Sequence, residues 1–313
     1  MMRKLAVVAV GGNALVPDSA HLSIAGQYDK VCELAGHLAA MMSDGWTLVL
    51  THGNGPQVGM ILRRSELSRA EVPPVPMDYA GADIQGAVGY MFCKALRNEC
   101  ARLGLRREIV ALVTQTVVSA GDPAFANPTK PIGSWFSREQ AEELAERYGW
   151  SVAEDSGRGW RRVVASPRPV GIIEETAVRA MLDAGMTVVC LGGGGIPVIV
   201  EGGEIRGVEA VIDKDMSSSL LAIKLKADML ILPTAVERLA VRFGKPDERR
   251  LDRLSIAEAG LLLAGGEFPE GSMAPKVRAL IDYVRATSGT GVITSPARMR
   301  EAVAGRAGTR IER

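Results

Sequence analysis

The chain lacks the sequence features that define several large protein classes. Its 313 residues carry a formal net charge of only +1, so no global charge favours binding to nucleic acid or to an anionic membrane. No apolar run approaches the ~18 residues that a membrane-spanning helix requires. The four cysteines show no CxxC spacing, which argues against a zinc site or a disulfide framework. These absences predict a soluble, cytoplasmic protein that binds neither nucleic acid nor membrane.

The common nucleotide-binding and nucleophile motifs are also missing. The glycines of residues 52–59 stand at 53, 55 and 59, and residues 192–195 lack the third glycine of a dinucleotide fingerprint. The Walker lysine pattern is absent, as is the acidic residue that would follow ~20 positions after a dinucleotide loop. No Ser-His-Asp or Cys-His arrangement is evident in the sequence. The ordinary P-loop, Rossmann and hydrolase assignments therefore fail.

Four segments of the chain nevertheless indicate an anion-binding site. They are residues 11–15, 52–59, 192–197 and 212–215, and the first three directly follow short apolar, β-branched runs. A strand, a glycine loop and a helix in succession present backbone N–H groups to an anion at the helix N-terminus. A turn that requires positive φ explains any single segment equally well. Three such loops at strand ends favour a shared site, because ligands of open α/β sheets bind there.

Three lysines accompany these segments. Lys214 precedes a helix predicted over 217–225, and Lys276 lies two residues inside a helix predicted over 274–286. The helix macrodipole disfavours a lysine near a helix N-terminus. An anion bound between Lys214 and Lys276 would offset this unfavourable interaction for both lysines. The alternative for each lysine is a solvated side chain. Lys130 stands between two prolines. These features predict a kinase of small acids, because phosphoryl transfer needs mainly positioning and charge neutralisation and an anionic acceptor needs no general base.

Hydrophobic periodicity predicts an α/β protein. The strands are predicted at 5–10, 47–51, 108–114, 187–191, 229–232 and 291–294, and further helices at 27–42, 86–103, 137–148, 174–184 and 255–264. Apolar strands that alternate with helices indicate a parallel or mixed sheet covered on both faces. Residues 117–169 are rich in turn formers and charge, so we predict a single domain, 1–313, with an inserted flap at about 117–169. Ser137 with Gln140 predicts a capping box in that flap.

The chain resembles a carbamate kinase of the amino-acid kinase superfamily over essentially its whole length. The resemblance is carried by residues 11–15, 51–59, 85–90, 127–133, 157–162, 190–198, 209–215, 243–248 and 271–276. It implies a reversible reaction of ADP and carbamoyl phosphate to ATP and carbamate, with Mg²⁺ carried mainly by the nucleotide and no metal site of the protein's own. It further implies a three-layer αβα sandwich around a mainly parallel eight-stranded sheet, a protruding flap subdomain and a homodimer.

The resemblance also implies roles for individual residues. Lys130, Lys214 and Lys276 would neutralise the phosphates and Asp215 would orient the lysines. The residues that would hold the carbamoyl or transferred phosphoryl group are Gly11, Gly12, Asn13, Gly53, Asn54 and Gly55. Those that would bind the nucleotide are Gly193, Gly194, Lys214, Thr234, Ala235, Val236, Phe243 and Lys276.

One segment departs from the family pattern. Family members usually carry Thr or Ser immediately before Gln85-Gly86, whereas this chain has Asp83 and Ile84 there. Asp83 is predicted to precede a helix that starts near Gly86 and to be favoured there by the helix dipole. The departure keeps two alternatives open: a kinase of a different small acid, and a paralogue that binds nucleotide or acyl phosphate as a sensor.

Overall fold

A computed structural model describes residues 4–16, 18, 21–155 and 157–313. Its helices are α1 Gly12–Leu15, α2 Ile24–Ser43, α3 Gly55–Leu67, α4 Met77–Arg102, α5 Arg138–Tyr148, α6 Glu175–Asp183, α7 Lys214–Leu225, α8 Ile256–Ala264, α9 Ala274–Ala286 and α10 Met299–Val303. Its first twelve strands are β1 Leu5–Val10, β2 Thr47–His52, β3 Ile109–Ala111, β4 Gln115–Val118, β5 Lys130–Phe136, β6 Ser151–Glu154, β7 Trp160–Val164, β8 Pro169–Ile172, β9 Thr187–Val189, β10 Ile196–Glu201, β11 Glu204–Gly207 and β12 Met229–Pro233. The remaining strands are β13 Ala240–Val241, β14 Arg249–Arg250, β15 Arg253–Ser255, β16 Thr290–Thr294 and β17 Thr309–Glu312.

A central eight-stranded sheet organises the chain, in the order β15-β17-β16-β12-β1-β2-β9-β3. Neighbouring strands run parallel except β16 and β17. Alternate residues of β1 enter different cores: Val8 packs with α2 and α4 on one face, and Val7 packs with α7 and α9 on the other. Side chains of a strand point alternately to the two faces, so the buried apolar run of β1 is explained by helices on both sides. The predicted αβα fold class is confirmed.

The parallel strands bring several chain segments to one edge of the sheet. Val10 pairs with His52, Leu50 with Val189 and Pro233 with Thr294, so β1, β2, β9, β12 and β16 end near the same level. The segments that follow β1, β2, β9 and β12 begin with Gly11, Gly53, Cys190 and Thr234. The predicted gathering of the glycine loops at the carboxyl ends of strands is present in the structure.

The flap region contains a sheet of its own. Strands β5, β7 and β6 form an antiparallel three-stranded sheet, and α5 follows β5. Strands β4 and β8, on either side of this region, pair antiparallel in a four-stranded sheet with β10 and β11. The capping box of Ser137 and Gln140 at the start of α5 is confirmed. No helix among the described residues is long and apolar enough to cross a membrane.

The predicted start of the long helix was wrong. Helix α4 begins at Met77, after Pro76, rather than near Gly86, and Gln85 and Gly86 are helical rather than a turn. One face of α4 is buried and apolar, with three- and four-residue spacing between Met77, Ala80, Ile84 and Val88. Burial of this face stabilises the helix despite its glycines. Asp83 therefore lies in the second turn of α4 on an exposed face, away from the first turn where the helix dipole acts. The predicted dipole role of Asp83 is wrong.

Several other boundaries also differ from the prediction. Helix α3 begins at Gly55, so residues 56–59 are helical rather than loop. Residues 192–195 lead into strand β10 rather than a helix, because residues 196–201 form a β-branched run. Helix α7 begins at Lys214 rather than Ser217, because Asp213 caps it. The predicted strand 108–114 is only Ile109–Ala111, and the chain then crosses to β4 in another sheet. Strand β1 and helix α9 have the predicted bounds.

Candidate active site

A buried carboxylate links two of the predicted lysines. Lys214 Nζ donates to Asp215 Oδ1, and Lys276 Nζ donates to Asp215 Oδ2 at 2.9 Å. Asp215 is only 5% exposed, and both lysine side chains are 12% exposed. Lys214 and Asp215 occupy the first turn of α7, and Lys276 is the third residue of α9. The cluster carries one net positive charge at the N-termini of two packed helices.

The charges of this cluster depend on one another. Burial lowers the pKa of Lys214 below its ordinary value, against the opposing attraction of Asp215. Burial alone would raise the pKa of Asp215, but Lys214 and Lys276 together hold that pKa below its ordinary value. Removing either kind of partner would leave an uncompensated buried charge, which is costly.

Lys214 also contacts the ends of β1 and β2. Its Nζ donates to the carbonyl of Ala9 at 3.1 Å. A Cβ on Gly53 would lie 2.7 Å from the nitrogen of Gly12 and 3.4 Å from Cδ of Lys214. The Gly12 and Gly53 loops therefore pass each other with no room for a side chain, and both lie against the lysine. This close approach explains why glycine occupies position 53.

The third glycine segment packs against the second. Gly193 has φ +69°, and a Cβ there would lie 2.6 Å from Nδ2 of Asn54. The carbonyl of Gly194 accepts hydrogen bonds from Thr116 Oγ1 and Ser217 Oγ, each at 2.7 Å. The second of these bonds connects the loop to α7. The structure thus joins Asn54, the 192–195 loop and the helix that carries Lys214.

His52 is buried at the centre of these contacts. It stacks on Phe92 with ring centroids 6.1 Å apart, and its Nδ1 donates to the carbonyl of Gly53 at 3.0 Å. A Cβ on Gly192 would lie 2.5 Å from the ring. Burial lowers the pKa of His52 to about 4, so the imidazole is neutral at pH 7. His52 is consequently a packing and hydrogen-bonding residue beneath the glycine loops.

The other predicted residues lie on several different elements of the fold. Gly11 is the residue before α1, Gly55 begins α3, and Asn13 lies within α1, although its side chain is outside the described part of the structure. Lys130 begins β5, and its Nζ lies 3.5 Å from Asp213 Oδ2. Thr234, Ala235 and Val236 follow β12, and Thr234 N donates to Thr294 O at 2.8 Å. Phe243 lies between β13 and β14 with its side chain 64% exposed.

Sequence reasoning gave Asp213 no role, although the structure places it beside the cluster. Asp213 Oδ1 accepts from the backbone N–H of Asp215 at 2.9 Å and of Met216 at 3.4 Å. It is thus the N-cap of the helix that carries Lys214. An Asp directly before an apolar-periodic stretch is a recognised N-cap signal, and that signal could have identified it.

The part of the chain that the structure describes contains no group of three or more His, Cys, Asp or Glu side chains able to hold an ion. Both oxygens of Asp215 are engaged by lysines.

Comparison with known proteins assigns the family. The model of the amino acid kinase family matches residues 4–295, and the chain belongs to that family. It is 46% identical to the carbamate kinase-like protein YqeA of Escherichia coli, over 98% of this chain and 99% of that protein. It is 43% identical to the carbamate kinase of Thermococcus kodakarensis, over 99% of both. The structure of Giardia lamblia carbamate kinase bound to AMP-PNP is 39% identical, with a TM-score of 0.94 over 99% of both chains.

The buried histidine predicts how stability depends on pH. Because the pKa of His52 is about 4 in the fold and about 6.5 when unfolded, its stabilising contribution is complete above pH 6.5 and is lost as pH falls towards 4. The free energy of unfolding should fall by about 3 kcal/mol over this pH range. Urea unfolding of His52→Gln, compared with wild type at pH 6.5 and 4.5, should show a smaller pH-dependent loss in the variant. Equal losses in both proteins would show that another group controls this range.

Proposed function

We propose that the protein is a phosphotransferase that interconverts ADP and carbamoyl phosphate with ATP and carbamate. The observation that carries this proposal is the buried Lys214–Asp215–Lys276 cluster beside the Gly12 and Gly53 loops. The full-length similarity to carbamate kinases supports the choice of substrate. The same cluster suits ATP formation and its reversal, because charge neutralisation assists both directions.

The reaction requires little covalent chemistry from the protein. A β-phosphate oxygen of ADP attacks the phosphorus of carbamoyl phosphate, the bond from phosphorus to the carbamoyl oxygen breaks, and carbamate leaves as an anion. Charge on the moving phosphoryl group is then offset by fixed cations and backbone N–H groups. Lys214 and Lys276 supply the cations, and Asp215 holds the two ammonium groups at one place.

The surrounding segments have distinct roles in this proposal. Carbamoyl phosphate or the moving phosphoryl group is bound by Gly11, Gly12, Asn13, Gly53, Asn54 and Gly55. The nucleotide is bound by Gly193, Gly194, Thr234, Ala235, Val236 and Phe243 together with the two lysines. The exposed ring of Phe243 offers an apolar surface to an adenine base. Mg²⁺ arrives with the nucleotide phosphates. A homodimer in the cytoplasm remains a prediction.

Asp83 gives no support to a different acceptor. It is exposed on α4, whereas its neighbour Gln85 is buried and hydrogen-bonds to the backbone and hydroxyl of Thr114. The departure from the family pattern therefore replaces no residue of the lysine cluster or of the glycine loops.

The lysines provide the direct test of this proposal. Purified protein should form ATP from ADP and carbamoyl phosphate, measured by a luminescent ATP assay. Lys214→Ala and Lys276→Ala should each reduce turnover by on the order of 10² or more, because each removes a fixed charge from the transition state. Lys224→Ala, an exposed lysine at the other end of α7, is the matched control and should remain near wild type. Near-parental turnover in the site variants would disprove the assignment.

The flap provides a second test. We propose that residues 117–169 form a subdomain that moves as a unit and brings Lys130 over the phosphates, since closing lids exclude water and complete a site. Lys130→Ala should lower turnover by on the order of 10-fold or more and change ADP affinity little. Turnover is measured by ATP formation and affinity by calorimetry. An equal loss of ADP binding would identify Lys130 as a static nucleotide contact.

A further inference from the structure

Residues 209–213 form one of the places where the flap contacts the rest of the protein. Arg162 of β7 forms an ion pair with Glu209 at 2.9 Å. The N–H of Val211 donates to the carbonyl of Ala165 at 3.0 Å. Lys130 of β5 lies 3.5 Å from Asp213. The segment then continues directly into α7, so the chain that contacts the flap also leads to Lys214 and Asp215.

The two carboxylate oxygens of Asp213 contact different parts of the molecule. Oδ1 accepts from the first backbone N–H groups of α7 and fixes the turn that carries Lys214. Oδ2 faces the ammonium group of Lys130. Asp213 therefore contacts both Lys130 of the flap and the N-terminus of α7, the helix that carries Lys214.

We infer that Asp213 is a positioning residue for Lys130 in the phosphoryl-transfer reaction. This inference rests on the proposed function. Lys130 has a long side chain that is 41% exposed, and such a side chain has many rotamers to lose when it is fixed. An anionic partner favours the rotamers that place the ammonium group of Lys130 beside α7 before the substrate binds. Preorganised charge of this kind lowers the barrier because less rearrangement accompanies the reaction.

A purely structural role for Asp213 makes a different prediction. If Asp213 served only as a helix cap, any residue that accepts the same backbone hydrogen bonds would replace it. Asn is as good an N-cap as Asp, whereas Ala is a poor one. The pair Asp213→Asn and Asp213→Ala therefore separates the charge of residue 213 from its capping.

The experiment compares these two variants in ATP formation from ADP and carbamoyl phosphate and in urea unfolding. Asp213→Asn should keep wild-type stability and lower kcat about fivefold, the upper range for a partly exposed ion pair. Its KM for carbamoyl phosphate should not rise, because a negative charge has been removed near an anionic substrate. Asp213→Ala should lower kcat at least as much and should also lose stability. Glu142→Gln, which removes the exposed ion pair with Arg138 on the flap helix, is the control and should match wild type.

The coupling to Lys130 is tested by combining substitutions. In a Lys130→Ala background, with micromolar enzyme and luminescent detection, adding Asp213→Asn should change kcat less than about twofold, because the partner is already absent. Wild-type kcat in Asp213→Asn, or the same fivefold loss with and without Lys130, would overturn the inference. Absence of ATP formation by the wild-type protein would instead contradict the proposed function.

Discussion

The ion pairs of Asp215 are the interaction on which the site depends. Two lysines from different helices meet only because one buried carboxylate lies between them. Without that carboxylate, the two buried ammonium groups would repel each other, and the pKa of the lysines would fall. Because a buried salt bridge contributes little net stability compared with apolar packing, its presence is better explained by what the paired lysines do to an incoming anion than by what they contribute to folding.

The fold supplies the geometry for this interaction. Parallel strands end at one edge of the sheet, and Gly53 and Gly193 allow the segments that follow to approach more closely than any side chain would permit. Ser217 and Ser218 then attach α7 to these loops: Ser217 Oγ donates to Gly194 O at 2.7 Å, and Ser218 Oγ lies 2.6 Å from Thr51 Oγ1. A substrate phosphate would consequently meet lysines and loops that are already fixed relative to one another.

Sequence reasoning predicted the α/β class, strand β1, helix α9 and the lysines that the structure brings together, because strand periodicity and helix-start signals are local. It failed where local signals conflicted with packing. Asp83 suggested a helix start near Gly86, but the buried stripe of α4 already begins at Met77. It also missed the contact between Asp213 and Lys130, since the two residues are 83 positions apart in the chain. The neutral state of His52 likewise follows from burial, which no local pattern reveals.

The most direct measurement of the central claim is phosphoryl transfer by Asp215→Asn. The amide preserves the size of the side chain but cannot balance two buried lysines. The account predicts a folded protein whose rate of ATP formation from ADP and carbamoyl phosphate falls by on the order of 10² or more. Glu33→Gln, which removes an exposed carboxylate on α2, should leave the rate unchanged. A near-parental rate in Asp215→Asn would show that the two lysines do not need their shared carboxylate, and would contradict the account.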